Sequence, residues 1–178
     1  MKKNKFNPES VVLNIISDEI VYNKIKESEP RIKRAFDELF SGYKLRGKDV
    51  LNDVVHVENY NGIVCVKDIS FYSYCEHHFA PFFGTADVYY EPNKIITGLG
   101  KIIRLVRDVH GRRLQIQELL TRDIAEDIMN ILDAKGVYVK TRAKHMCMCS
   151  RGPKDDNSQT ECVYSLGTMK NKIYLPAE

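Results

Sequence analysis

A chain of 178 residues, 43% hydrophobic and 29% charged, can build one folded domain with its own core and is too apolar for a disordered binding tail. Lys and Arg outnumber Asp and Glu by 27 to 24, a formal +3 with the signs mixed along the chain, so the basic stripe of a nucleic-acid binder is missing. No apolar run approaches the roughly 20 residues of a membrane helix, and MKKNKFNPES leads into no signal-peptide core; a cytoplasmic protein with neither nucleic acid nor membrane as partner is expected.

In chain order, residues 8–27 carry an imperfect apolar face through Val12, Ile15, Ile16, Ile20 and Ile25, which predicts a helix. Pro30 opens a second helical segment with Ile32, Ala35, Phe36, Leu39 and Phe40 on one side, ended by Gly42. Residues 43–62 read as loop with short strand content near Val54–Val57, and Asn61-Gly62 is a turn signal. The period then changes. Ile63–Asp68 and Thr85–Tyr90 read as strands on either side of the dense segment FYSYCEHHFAPFFG, and Glu91-Pro92-Asn93 is a turn. Gly98–Asp108 and Gln115–Asp133 read as helices, the second with Leu119, Ile124, Ile128, Ile131 and Leu132 as its buried stripe. Val137–Lys144 and Glu161–Ser165 close the order as strands. This is an α+β arrangement, with a helical extension expected over 1–50 and the main domain over 51–178. A four-stranded sheet with helices on one face leaves its edges open, which argues for a homo-oligomer.

Five cysteines, an odd number in a chain without a secretion signal, argue against a disulfide scaffold. Cys75 and His78 form a C-x-x-H pair in a turn between strands. His145 and Cys147, two apart in a strand-like run, share a side. Zinc favours thiolate and imidazole, and a catalytic site needs three protein ligands and an open position. Cys75, His78 and Cys147 make the best such set, leaving His77 and His145 to move protons. The bland alternative is a closed structural site with His145 as fourth ligand. Cys149 reads as a packing cysteine, Cys65 and Cys162 as core or sheet residues.

Lys101, Arg104, Arg112, Arg113 and Arg151 form a basic set near these clusters, and Gly98-Leu99-Gly100-Lys101 at a helix start suits phosphate oxygens. A solvated basic surface is the simpler reading of these residues alone. Gln117 and Glu118 begin the long helix, where a Gln/Glu pair can meet a purine edge, although most helix glutamates merely face water.

The stretches FYSYCEHHFAPFFG (71–84), GLGKIIR (98–104), RRLQIQE (112–118) and HMCMCSRG (145–152) together resemble GTP cyclohydrolase I. The resemblance extends upstream through ELFSGY and downstream through NSQT and Leu166-Gly167, covering most of the chain. It implies the tunnelling fold, a strand–strand–helix–helix–strand–strand unit after N-terminal helices, in a decamer of two stacked pentamers with active sites between subunits. It implies zinc on Cys75, His78 and Cys147, proton transfer by His145 with His77, triphosphate contacts from Lys101, Arg104 and Arg151, and guanine recognition by Gln117 and Glu118. The reaction implied is conversion of GTP to 7,8-dihydroneopterin triphosphate and formate. Gly100 stands where the family usually has Ser, Leu119 where it often has Arg, and Cys149-Ser150 where apolar residues are common; these touch phosphate affinity and substrate preference, not the zinc set. Two other readings compete: a related purine-nucleotide enzyme of the same fold, and a zinc-stabilised nucleotide-binding protein without turnover.

Overall fold

The computed structural model describes residues 14–16 and 18–170. By Cα proximity the chain divides into two units, residues 1–38 and 39–178. The part of the expected first helix over 8–13 lies outside the described residues. Helix α1, Glu19–Leu39, begins at Asp18, whose Oδ1 accepts from the amides of Ile20 (2.8 Å) and Val21 (3.3 Å), satisfying donors that a helix start leaves orphaned. The expected break at Pro30 does not occur: the proline sits inside one continuous helix. Its fixed φ is already helical, and the cost of the missing N–H is borne among good helix formers such as Lys26, Glu27, Glu29 and Lys33.

The second unit begins with a 3₁₀ turn, Ser41–Lys44, and a short helix α2, Gly47–Val50. A two-stranded ribbon follows, in which β1 (Val54–His56) pairs antiparallel with β4 (Ile95–Thr97). The main sheet has five strands in the order β5-β2-β3-β6-β7: β2 Val64–Cys75, β3 Pro81–Glu91, β5 Leu114–Gln115, β6 Gly136–His145 and β7 Thr160–Gly167. β2 and β3 run much further into the FYSYC and PFFG segments than the sequence suggests, and leave only 76–80 as the turn. Helix α3, Leu99–Arg104, continues into a π-helical stretch, Leu105–His110, and helix α4 spans Gln117–Ile131. α4 buries Leu120, Ile124 and Ile128 completely on the sheet face that carries Phe71, Phe82, Val88 and Val139. Each such aliphatic side chain contributes about 1.5–3 kcal/mol of burial. Leu119 and Ile131, expected in that stripe, are only half-buried; Leu120 takes the place of Leu119.

A bulge in β2 sets the position of the site. Strand pairing slips between Val66 and Ile69, where Asp68 has φ +54°. Before the slip the even residues Val64 and Val66 pack on the core; after it the odd residues Ile69, Phe71, Ser73 and Cys75 are buried. One extra residue exchanges the two faces of the strand, and Cys75 thereby lands on the helix-covered face. Asp87 holds the bulge, its Oδ1 accepting from the Asp68 amide at 2.9 Å while Oδ2 lies 3.3 Å from Arg142.

Gly84 marks a close approach of β3 and β6. A Cβ there would overlap the Arg142 carbonyl oxygen and lie 2.8 Å from Ala143 Cα. Gly84→Ala is expected to destabilise by about 3 kcal/mol through overpacking, seen as a melting midpoint lower by roughly 5–10 °C. A midpoint within about 1 °C of the parent would contradict this tight crossing.

Candidate metal centre

Two strand ends and a helical turn converge at one edge of the core. Cys75 closes β2, His145 closes β6, and α5 (Met146–Cys149) turns immediately after it, facing the start of α4. Cys75, His145 and Cys147 each offer one ligand atom, and these atoms lie within 4.8 Å of one another. Both cysteines are buried, at 5% and 7% exposure. Residues 146–149 form a helical turn and not the extended run expected from the sequence. In a helix, positions two apart point to nearly opposite sides. Cys147 therefore lines the cleft while Cys149 does not.

The β2–β3 turn is built to hold its shape. Cys75 N–H donates to the Ala80 carbonyl (2.8 Å), and the Cys75 carbonyl accepts from Phe79 N–H (2.8 Å). Phe79 takes a left-handed φ of +55°, uncommon for a bulky residue. Its ring is fixed against Phe40 (5.6 Å) and Tyr74 (6.0 Å), which offsets that strain. The exposed His77 and His78 thus come close to the same sulfur, each with Nδ1 3.8 Å from Cys75 Sγ.

His145 is held from two sides. Sheet register places it beside Phe82, whose ring stacks on the imidazole at 4.5 Å and 1°. Its Nε2 lies 2.9 Å from Gln117 Oε1. Burial pushes its pKa down, and the Glu118 carboxylate pulls it back up. Burial likewise raises the Cys147 thiol, the neighbouring Cys75 sulfur adds to the rise, and Arg151 opposes it. Two thiolates at this separation need a cation between them. Zn–S bonds of about 2.3 Å in a tetrahedron place two sulfurs roughly 3.8 Å apart, within the 4.8 Å that bounds the ligand atoms here. The donor set of buried thiols with imidazoles is borderline-soft and suits zinc.

The cleft around these groups has a volume of ≈ 450 Å³ and is also lined by Gln117, Glu118 and, from β7, Thr160, Glu161 and Cys162. Glu118 is exposed within it, while Gln117 is 2% exposed. The contribution of β7 has no signal in the sequence, where Cys162 reads as a core or sheet residue. Cross-strand register supplies it: Thr160 pairs with Ala143 and Cys162 with Thr141, on the face that carries His145.

The expected anion-binding residues do not gather here. Lys101 and Arg104 sit on α3 and line no part of the cleft; Lys101 Nζ donates to Asn52 Oδ1 at 3.1 Å. Arg151 is exposed just beyond α5. Arg113 is no substrate group: its guanidinium donates to the carbonyls of Gly42 (3.2 and 3.3 Å) and Leu45 (3.1 Å), tying the segment after α1 to the core. Arg112 lines a separate hollow with Arg107 and Asp108. Gly100 has open space around it, so a serine would fit there without displacing a neighbour. A larger hollow of ≈ 600 Å³ near residues 56–61 holds one imidazole and no thiol.

The family model for GTP cyclohydrolase I matches residues 8–177. The GTP cyclohydrolase 1 of Campylobacter jejuni is 48% identical over 149 residues, covering 84% of this chain and 78% of its own. That of Clostridium kluyveri is 44% identical over 163 residues, covering 92% and 87%. That of Leptospira biflexa is 49% identical over 140 residues, covering 79% and 76%.

Proposed function

Because the chain belongs to the GTP cyclohydrolase I family, we propose that its Cys/His cleft divides into a zinc-holding set, Cys75, His78 and Cys147, and a proton-moving pair, His145 and His77. The protein is a zinc-dependent GTP cyclohydrolase that converts GTP and water to 7,8-dihydroneopterin triphosphate and formate. The observation that carries the reading is the meeting of two buried thiols and an imidazole at the floor of a cleft whose rim bears Glu118.

Bound zinc supplies Lewis acidity for hydrolytic opening of the purine's five-membered ring. The protein's own groups do the rest. His145, fixed against Phe82, gives and takes protons at the ring nitrogens as the C8–N bonds break and C8 leaves as formate. His77, exposed on the turn, assists. Glu118 accepts hydrogen bonds from the N–H groups that guanine presents, which adenine lacks in this pattern. The triphosphate is retained, so basic groups orient it and cleave nothing.

Lys101, Arg104 and Arg151 are the proposed triphosphate contacts, and we place the first two in the site of a neighbouring copy. Supporting this are their absence from the cleft of their own chain and the sheet edges β5 and β7, which pair with no further strand among the described residues. A decamer with sites between subunits is the assembly proposed, and it accommodates both features.

The direct test incubates zinc-loaded protein with GTP and quantifies formate, the ultraviolet pterin product and free phosphate. One formate and one pterin per GTP, with no phosphate, is expected; formate without pterin would favour a cyclohydrolase that stops at ring opening, and neither would favour a nucleotide-binding protein. Glu118→Gln is expected to raise the GTP KM and lower kcat/KM by about 100-fold, through loss of a charged hydrogen-bond acceptor worth roughly 2–3 kcal/mol. Unchanged discrimination between GTP and ATP in that variant would remove Glu118 from recognition.

A further inference from the structure

Gln117 stands beside Glu118, yet its side chain has nothing left to offer a purine. It is 2% exposed. Its Nε2 donates toward Thr141 O (3.1 Å), Thr141 Oγ1 (3.0 Å) and Thr160 O (3.2 Å). Its Oε1 faces Thr160 Oγ1 (2.5 Å) and His145 Nε2 (2.9 Å). Two amide hydrogens and two lone pairs are thereby used.

The orientation of the amide follows from its partners. Thr141 O and Thr160 O are backbone carbonyls and carry no hydrogen, so the group facing them must be the NH₂ end. The hydroxyls agree. Thr121 Oγ1 donates its single hydrogen to the backbone carbonyl of Gln117 at 2.7 Å, so in its 2.7 Å contact with Thr141 Oγ1 the donor is Thr141. Thr141 then has lone pairs free for Gln117 Nε2. Turning the amide over would set Oε1 against two carbonyl oxygens inside the protein, a buried unsatisfied arrangement costly enough to exclude. Oε1 therefore faces His145, and Nε2 of that ring must bear the hydrogen.

We propose that Gln117 is a positioning residue that locks His145 in the Nε2–H tautomer and so presents Nδ1, with its bare lone pair, to the cleft. This rests on the assignment of His145 as the proton-moving group and names the atom at which it works. The chain of contacts runs from α4 through β6 and β7, so the tautomer is set by the fold before any substrate arrives. Phe82 fixes the ring plane and Gln117 fixes its rotation within that plane.

Gln117→Met keeps the length of the side chain and removes both amide functions. The expected result is a kcat lower by about 10- to 100-fold, the range for losing an orienting partner of a site histidine, with the GTP KM, the preference for GTP over ITP and the bound zinc unchanged. A raised KM with relaxed preference for GTP, or an unchanged kcat, would overturn the proposal by making Gln117 a reader of guanine or a bystander. If the variant loses its fold or its zinc, the parent protein decides. Ring-¹⁵N-labelled histidine in the zinc-loaded parent, with the His145 signal identified by its loss in His145→Ala, should show a protonated Nε2 and an unprotonated Nδ1. The reverse pattern would end the proposal. Parental turnover by His145→Ala would instead remove the catalytic role of His145 and leave the tautomer standing, so the two failures are distinguishable.

Discussion

Cys147→Ser is expected to lose its zinc and its GTP turnover together. Cys147 is 7% exposed and its sulfur shares the floor of the cleft with that of Cys75. In the metal-free chain, burial and the neighbouring sulfur both resist ionisation of this thiol. Zinc reverses that balance by binding thiolate directly. A serine hydroxyl in the same place is harder, far less acidic and shorter in reach, so it replaces neither the charge nor the bond. Loss of an outer partner of a metal ligand alone typically costs about 10–100-fold in affinity, and loss of the ligand itself is expected to exceed about 100-fold. Elemental analysis after exhaustive dialysis and formate release from GTP are the two readouts. Stoichiometric zinc with parental turnover in the serine variant would remove Cys147 from the ligand set.

Alanine at His78 and alanine at His145 should separate the two roles of imidazole. His78→Ala is expected to lower zinc affinity by more than about 100-fold. His145→Ala is expected to keep stoichiometric zinc and lower pterin formation by about 10²–10⁴-fold, the usual contribution of a placed acid–base group. The grouping of donor atoms alone would favour His145, since it is the imidazole within 4.8 Å of both sulfurs. The surroundings of each ring favour the opposite assignment. His78 lies on an exposed turn with Nδ1 3.8 Å from Cys75 Sγ, free to rotate into a tetrahedral position. His145 is immobilised by Phe82 and Gln117, and burial favours its neutral form, which is ready to accept a proton. Zinc lost from His145→Ala and kept by His78→Ala would exchange the two residues.

Much of this site is legible in the sequence because metal chemistry is local. Cys75-x-x-His78 and His145-x-Cys147 name the candidate donors through side-chain type and short spacing, without knowledge of the fold. The helix stripe Ile124, Ile128 and Leu132 follows from a period of 3.6 residues. Other features escape for definite reasons. A period-2 reading carried through β2 from Val64 and Val66 would put Cys75 on the wrong face; the bulge at 66–69, held by Asp87 from β3 and Arg142 from β6, reverses it. Residues 145–149 alternate in a way that suits a strand, yet 146–149 form a helical turn, and this turns Cys149 away from Cys147. Arg113 resembles an anion-binding arginine until the carbonyls of Gly42 and Leu45 are found against it.

By itself, then, the sequence named the thiols and imidazoles open to a metal and the family whose motifs they stand in, since each depends on side-chain identity and near spacing. Only the tertiary structure decided that Cys75 faces the core, that β7 walls the cleft and that Gln117 serves His145. Those depend on which face a strand presents and on where a buried donor finds its acceptor. Both are set by partners tens of residues away, as when Gln117 spans 43 positions to reach Thr160.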